Sequence, residues 1–254
     1  MTYVQLLRLR KALTIYAGVV GAVFFLILIP THWPNATVHN DTNGSVPLSI
    51  LLLVGFCAII FGTAVSTSLN RENDGVEMVW TKPIARDRLA MRYIALDLAA
   101  IAVAFVVALV LAVLVFASFG MLGAIRADEG WFSTALLIFG VAFMWYGILQ
   151  ALTSWQTGRG AIVIGLSWAT FAIVLPAFLA LTAHIPGLHE IAVALNFLNP
   201  LSYLSTNNGT IHIGLSTGGS SLIPHDTWLR VAITWAFGLL GSVAAIAGWK
   251  RLEV

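Results

Sequence analysis

The chain reads NRENDGVEMVWTKPIARDRLAMR from Asn70 to Arg92, a charged segment that lies between two long apolar runs. The whole sequence has 13 basic and 11 acidic residues, and nine of these 24 fall within this segment. Most of the remaining chain is compatible with hydrocarbon. We therefore expect the charged segment to be the part of the chain that a soluble partner contacts.

Composition indicates an integral membrane protein. Of the 254 residues, 59% are hydrophobic and 9% are charged, whereas soluble domains carry about 25% charged residues. The single cysteine, Cys57, lies in an apolar run, which leaves neither a disulfide framework nor a cysteine metal site. We interpret residues 1–254 as one transmembrane domain.

Six apolar stretches approach or exceed the roughly 20 residues that a helix needs to cross the hydrocarbon core of a bilayer. They are Ala12–Ile29, Leu48–Ser68, Tyr93–Phe119, Trp131–Ala151, Ala161–Ala183 and Leu229–Trp249. The predicted fold class is all-α, a polytopic membrane protein with about six transmembrane helices.

The distribution of basic residues predicts the orientation. With the N-terminus inside, only Arg126 and Arg230 lie on the outer side, and eleven basic residues lie on the cytoplasmic side. An excess of Lys and Arg in cytoplasmic loops is the usual determinant of topology. We therefore predict that both termini are cytoplasmic.

The longest outer connection, His184–Trp228, contains an apolar stretch. Ile185–Leu198 is too short to cross a bilayer and too apolar for a free loop, which predicts a re-entrant or interfacial helical hairpin over residues 184–204.

Within the charged segment, Val76, Val79 and Trp80 are spaced as on one face of a short helix, and Pro83 disfavours helix at Lys82. An amphipathic helix between two spans suits a groove on a cytosolic protein. A solvated loop whose charges keep it out of the bilayer is an equal alternative on the residues alone.

Other chemistries find less support in the sequence. All six histidines map to the outer side, without a His-x-His or His-x-x-x-His pair, so no metal site is predicted. Ion-coupled transporters place ionisable residues at mid-membrane, whereas Asp97 is expected near the cytoplasmic end of the third span and Gln150 is only polar. The serines near the spans have no histidine at membrane depth to act as a base.

Three stretches resemble ABC-2 type transporter permeases. The run from Glu72 to Arg86, with Asp74-Gly75, Glu77 and KPIAR at 82–86, resembles the family's second intracellular segment. The stretch LNPLSY at 198–203 resembles the Asn-Pro-Leu-x-Tyr-like sequence after the fifth span, and GWKRLE at 248–253 resembles the family's basic tails. One departure is VWTK at 79–82, where many members have a leucine-rich run.

This resemblance implies an ABC-2 type permease fold and an export function in the cytoplasmic (inner) membrane of a bacterium. The permease would form a homodimer, or pair with a similar permease, and associate with two copies of an ATP-binding cassette ATPase. ATP and Mg would be bound by that partner, because this sequence lacks the Gly-x-x-x-x-Gly-Lys-Ser/Thr motif. The chain is therefore expected to be no enzyme by itself, to bind no cofactor and to have no nucleic-acid partner.

The resemblance also assigns residues. The outer motif consists of Asn199, Pro200 and Tyr203. The residues that would couple the permease to the ATPase are Glu72, Asp74, Gly75, Glu77, Val79, Trp80, Pro83 and Arg86.

Aromatic residues of the second and fifth spans are candidates for the lining of the translocation path, because in related permeases these spans help to form it. They are Phe56, Phe61, Trp168 and Phe171. Helix packing or lipid contact is the alternative for each. The alternative function is a membrane-embedded assembly or maturation factor that binds a partner or a metal through its outer loops.

Overall fold

A computed structural model describes residues 9–10, 12–22, 54, 57–63, 86–118, 129–154, 159–204 and 226–250. In these residues the chain is 93% helical and contains no strand, which confirms the all-α class. The helices are α1 (Ala12–Ala22), α2 (57–63), α3 (Arg86–Ser118), α4 (Glu129–Ser154), α5 (Gly160–Ala169), α6 (Leu175–Thr182), α7 (Leu188–Asn196) and α8 (Thr227–Lys250). A π-helical turn, Thr170–Val174, joins α5 to α6, and a 3₁₀ helix, Pro200–Leu204, follows α7.

Four described stretches are long and apolar enough to cross a membrane: Ala90–Leu114, Phe132–Ser154, Ile162–Thr182 and Thr227–Gly248. They correspond to the third, fourth, fifth and sixth predicted spans. The described parts of the first two predicted spans, α1 and α2, are helical. The rest of those two spans lies outside the described residues, so the total of six stays a prediction.

Helix α4 is the central helix of the described bundle. In its apolar window 67% of the residues are buried, against 17% to 33% in the other three candidate spans. Met144, Trp145 and Leu149 are among its fully buried side chains. The other three spans leave apolar side chains such as Val106 and Leu240 exposed, as expected for helices that face lipid.

Glycines bring the backbones of α4 and α8 into direct contact. A Cβ atom added to Gly147 would lie 2.7 Å from the carbonyl oxygen of Gly238, and one added to Gly238 would lie 2.6 Å from the ring of Phe143. Small residues at such crossings allow the close van der Waals packing that holds helices together in lipid, where the hydrophobic effect between helices is absent. These two positions therefore require glycine.

The helix of the fifth span is interrupted near its middle. The backbone N–H of Leu175 donates to Thr170, five residues earlier, instead of to Phe171. Pro176 follows and has no N–H to donate. The carbonyl of Phe171 thus lacks its usual helical donor, and within a membrane such a group needs a partner from elsewhere in the protein.

Candidate functional site: a mid-span junction

Residues 184–204, which the sequence predicts to lie on the outer side, fold back along the fifth span. We call them the outer segment. Gly187 has a φ of 83°, a left-handed conformation that favours glycine, and it reverses the chain before α7. Helix α7 then packs against α6. The chain that follows it reaches Phe171, the tenth of the 21 residues in Ile162–Thr182. The segment therefore extends to the middle of that span.

Asn199 supplies the partner that the fifth span lacks. Its side-chain Nδ2 donates to the carbonyl oxygen of Phe171 at 3.2 Å, and its Oδ1 accepts a bond from the backbone N–H of Leu201 at 3.1 Å. The residue is only 3% exposed. The Asn199 amide thus provides a hydrogen-bond partner both for a carbonyl of the interrupted helix and for an N–H group in the turn of the outer segment. We call this contact the mid-span junction.

Further hydrogen bonds hold the turn itself. The hydroxyl of Ser202 donates to the carbonyl of Asn199 at 2.6 Å, and the hydroxyl of Tyr203 donates to the carbonyl of Phe197 at 2.8 Å. Pro200 begins the 3₁₀ helix, a position where its missing N–H costs nothing. Asn199, Pro200 and Tyr203, which the sequence singled out as a motif, are all buried and form the base of the outer segment.

Arg230 attaches the sixth span to this segment. It lies in the first turn of α8, is 8% exposed, and donates from a guanidinium nitrogen to the carbonyl of Tyr203 at 3.3 Å. Burial raises the pKa of Tyr203 to about 12, although the nearby Arg230 charge acts in the opposite direction. In the sequence Arg230 counted only as an outer basic residue. The structure adds a packing role, which no local pattern indicates.

An aromatic cluster lies beside the junction. The ring of Trp145, on α4, is 4.8 Å from that of Trp168 and 5.6 Å from that of Phe171 between centroids. Both indole N–H groups donate to Oγ1 of Thr63, at 2.9 Å from Trp145 and 3.3 Å from Trp168. The cluster therefore joins α2, α4 and the fifth span through one hydroxyl group.

The predicted lining residues do not form one surface. Trp168 and Phe171 meet at Trp145, whereas Phe61 is buried against Tyr16 of α1, with 4.9 Å between ring centroids. Phe56 lies outside the described residues. Sequence reasoning did not select Trp145. The available signal was its position well inside a predicted span, away from the membrane interface where tryptophans are enriched.

A second buried polar group joins α3 to α4. The carboxylate of Asp97 is 2% exposed and accepts a hydrogen bond from the Tyr146 hydroxyl at 3.0 Å. Asp97 is the eighth residue of Ala90–Leu114, about 10 Å along the helix from the start of that span. Gln150 lies one turn after Tyr146, is fully buried, and has no hydrogen-bond partner for either amide atom in the described part of the chain.

The described histidine and acidic residues do not form clusters. Among the described residues no group of three or more His, Cys, Asp or Glu side chains could hold a metal ion. His184 is exposed and His189 is partly buried, whereas the other four histidines lie outside the described ranges. The chemistry that the described interior offers is hydrogen bonding of Thr63 and Asp97 with their aromatic neighbours.

The predicted coupling residues are largely beyond what the structure describes. Glu72, Asp74, Gly75, Glu77, Val79, Trp80 and Pro83 all lie outside the described residues. Arg86 is the first residue of α3, so this helix begins three residues after Pro83. The charged segment thus leads directly into the third span.

No protein-family model, no curated protein and no solved structure matches this chain. The four long apolar helices are compatible with a multi-pass membrane protein. Assignment to the ABC-2 family rests on the sequence resemblance alone.

Proposed function

We propose that the chain is the transmembrane permease subunit of an ATP-binding cassette exporter of the ABC-2 type, in the inner membrane of a bacterium. The ABC-2 assignment is supported by the sequence resemblance, and a transport function is supported by the mid-span junction. Re-entrant backbone at membrane depth is tolerated only where protein or a water-filled cavity surrounds it. Interrupted helices at such sites are known from membrane transporters. Single π turns inside α-helices are frequently found at functional sites.

The charged segment would receive the mechanical input. It leads into α3, a continuous helix of 33 residues, or about 50 Å. A displacement of its cytoplasmic end would be carried along α3 to Asp97 and, through Tyr146, to the central helix α4. The neighbouring Trp145 contacts Phe171 at the junction. These contacts would connect an ATPase at the charged segment to the interrupted span.

Co-purification with the ATP-binding cassette ATPases of the same organism tests the proposal. We expect Glu77→Lys and Trp80→Ala to lose the ATPase while the permease still inserts into the membrane. Glu190→Lys, at an exposed position on α7 on the predicted outer side, is the matched control and should retain it. If both variants in the charged segment retain the ATPase, the coupling assignment is wrong.

Failure of the wild-type chain to bind any ATPase would overturn the exporter proposal as a whole. The assembly or maturation factor would then be the better function, and its partner would be sought at the outer loops.

Buried Asp97 favours a second function, transport driven by an ion gradient, because an ionisable residue inside a span is costly and usually functional. Proteoliposomes that contain the chain without an ATPase, loaded with a pH-sensitive dye, distinguish the two. Proton flux that Asp97→Asn abolishes would support ion coupling. Absence of proton flux from the wild-type chain would argue against proton coupling through Asp97.

A further inference from the structure

A groove runs between α1 and α3 on the surface of the described bundle. Its volume is about 590 Å³, and its walls are mostly apolar. Leu13 and Ala17 form part of one wall, and Ala99 and Val103 form part of the other. Alanines at these positions leave room between the helices that larger side chains would fill.

The length of the groove matches one leaflet of a bilayer. On α3 it extends from Leu96 to Val107, which is about 16 Å of helix. The hydrocarbon core is about 30 Å thick, so this distance is close to the depth of a single leaflet. An apolar groove of that length is suited to an acyl chain.

Each of the two helical walls of the groove has an exposed arginine near its N-terminal end. Arg10, in the helical turn that precedes α1, lines the groove and is exposed. Arg92 is also exposed and lies four residues before Leu96, on the same face of α3. The positive-inside orientation predicted from the sequence places both arginines at the cytoplasmic surface, where anionic headgroups are found.

We infer that this groove binds an anionic phospholipid of the cytoplasmic leaflet, with an acyl chain between α1 and α3 and the phosphate beside Arg10 and Arg92. Guanidinium groups bind phosphate oxygens through charge-assisted hydrogen bonds, and basic residues at the cytoplasmic ends of spans attract anionic lipid. The charge of these two arginines favours a lipid over a second copy of the chain, because the same face on another protomer would bring like charges together.

Native mass spectrometry of the delipidated full-length chain in detergent tests this inference, with phosphatidylglycerol as the probe. Phosphatidylcholine with the same acyl chains tests the headgroup, and glycerol phosphate tests the need for an acyl chain. We expect phosphatidylglycerol to bind more tightly than either. Arg10→Gln should weaken its binding about fivefold, because each basic residue near the surface contributes about 1 kcal/mol.

Ala99→Phe should prevent binding by filling the groove. Ala99 is exposed, so the larger side chain leaves the protein core unchanged, and Ala99→Leu is a milder second variant. Arg159→Gln removes an exposed arginine at the predicted cytoplasmic end of α5, away from the groove, and should bind lipid as the wild type does.

Three results would overturn the inference. Undiminished phosphatidylglycerol binding by both Ala99 variants would place the lipid elsewhere. Equal affinity for phosphatidylcholine would remove the role of the arginines. Conversion of a dimer to monomers by Ala99→Phe, with lipid binding unchanged, would identify a second copy of the chain as the occupant.

Discussion

Removal of the Asn199 side chain is the most direct perturbation of the mid-span junction. Asn199→Ala deletes the donor to the Phe171 carbonyl and the acceptor for the Leu201 N–H, at 3.2 Å and 3.1 Å. Both backbone groups lie beside a buried residue, where water does not readily replace the lost partner. A buried polar group left without its partner costs about 1–3 kcal/mol, and hydrogen bonds within membranes measure about 0.6–1.7 kcal/mol. We therefore expect a loss of about 1–4 kcal/mol in the free energy of unfolding.

The measurement is reversible unfolding in mixed micelles with increasing denaturing detergent, followed by circular dichroism. Thr182→Val is the matched control, because the Thr182 hydroxyl bonds a carbonyl within its own helix and its loss frees no group of the junction. We expect Thr182→Val to lower the free energy of unfolding by clearly less than Asn199→Ala does. An Asn199→Ala protein that is as stable as wild type would refute the argument that this amide replaces the missing helical donor.

Asn199→Asp tests the two hydrogen bonds of the Asn199 side chain individually. The shape is conserved and one carboxylate oxygen still accepts from Leu201, but the donor to Phe171 becomes an oxygen that faces a carbonyl oxygen. We expect this variant to be less stable than wild type at neutral pH and to recover part of the loss in acid, where the carboxyl is protonated and donates again. Stability that does not change with pH would contradict this explanation.

Three further predictions address the packing. Gly147→Ala should destabilise the chain by about 1–3 kcal/mol in the same unfolding assay, because its Cβ would lie 2.7 Å from the Gly238 carbonyl oxygen. Gly165→Ala is the control and should leave the stability unchanged, because no atom lies within 4 Å of the added Cβ. Thr63→Val removes the hydroxyl that accepts hydrogen bonds from two indoles. It should lower the free energy of unfolding by about 1–3 kcal/mol and shift the tryptophan fluorescence emission. Unchanged emission would contradict the hydrogen-bonded aromatic cluster. Because the pKa of Tyr203 is about 12 when folded and about 10 when unfolded, its stabilising contribution is complete below pH 10 and is lost as the pH rises to 12. Relative to wild type, Tyr203→Phe should therefore be destabilised less at pH 12 than at pH 9, and a constant difference would argue against burial as the cause.

Helix boundaries show where sequence reasoning reached its limit. The third span was predicted to begin at Tyr93, and helix α3 begins at Arg86. A hydropathy pattern detects the residues that lie in hydrocarbon, but a helix continues into water through charged residues that this pattern cannot assign. The fourth span was predicted as Trp131–Ala151, and helix α4 covers Glu129–Ser154 for the same reason.

Sequence by itself determined the all-α class and the positions of the four described spans. The physical reason is local: every backbone polar group in hydrocarbon needs a partner, a helix provides that partner within the segment, and about 20 apolar residues complete the crossing.

Only the tertiary structure decided which groups meet. Asn199 bonds a carbonyl 28 residues away, and Trp145 donates to a hydroxyl 82 residues away. The same structure buries Asp97 against Tyr146 and separates Phe61 from Trp168. Hydropathy measures the free energy of transferring each residue from water to lipid and contains no information about such partners. They are decided by how closely helices approach, which here depends on glycine contacts between α4 and α8, and by which backbone groups the π turn leaves without a donor.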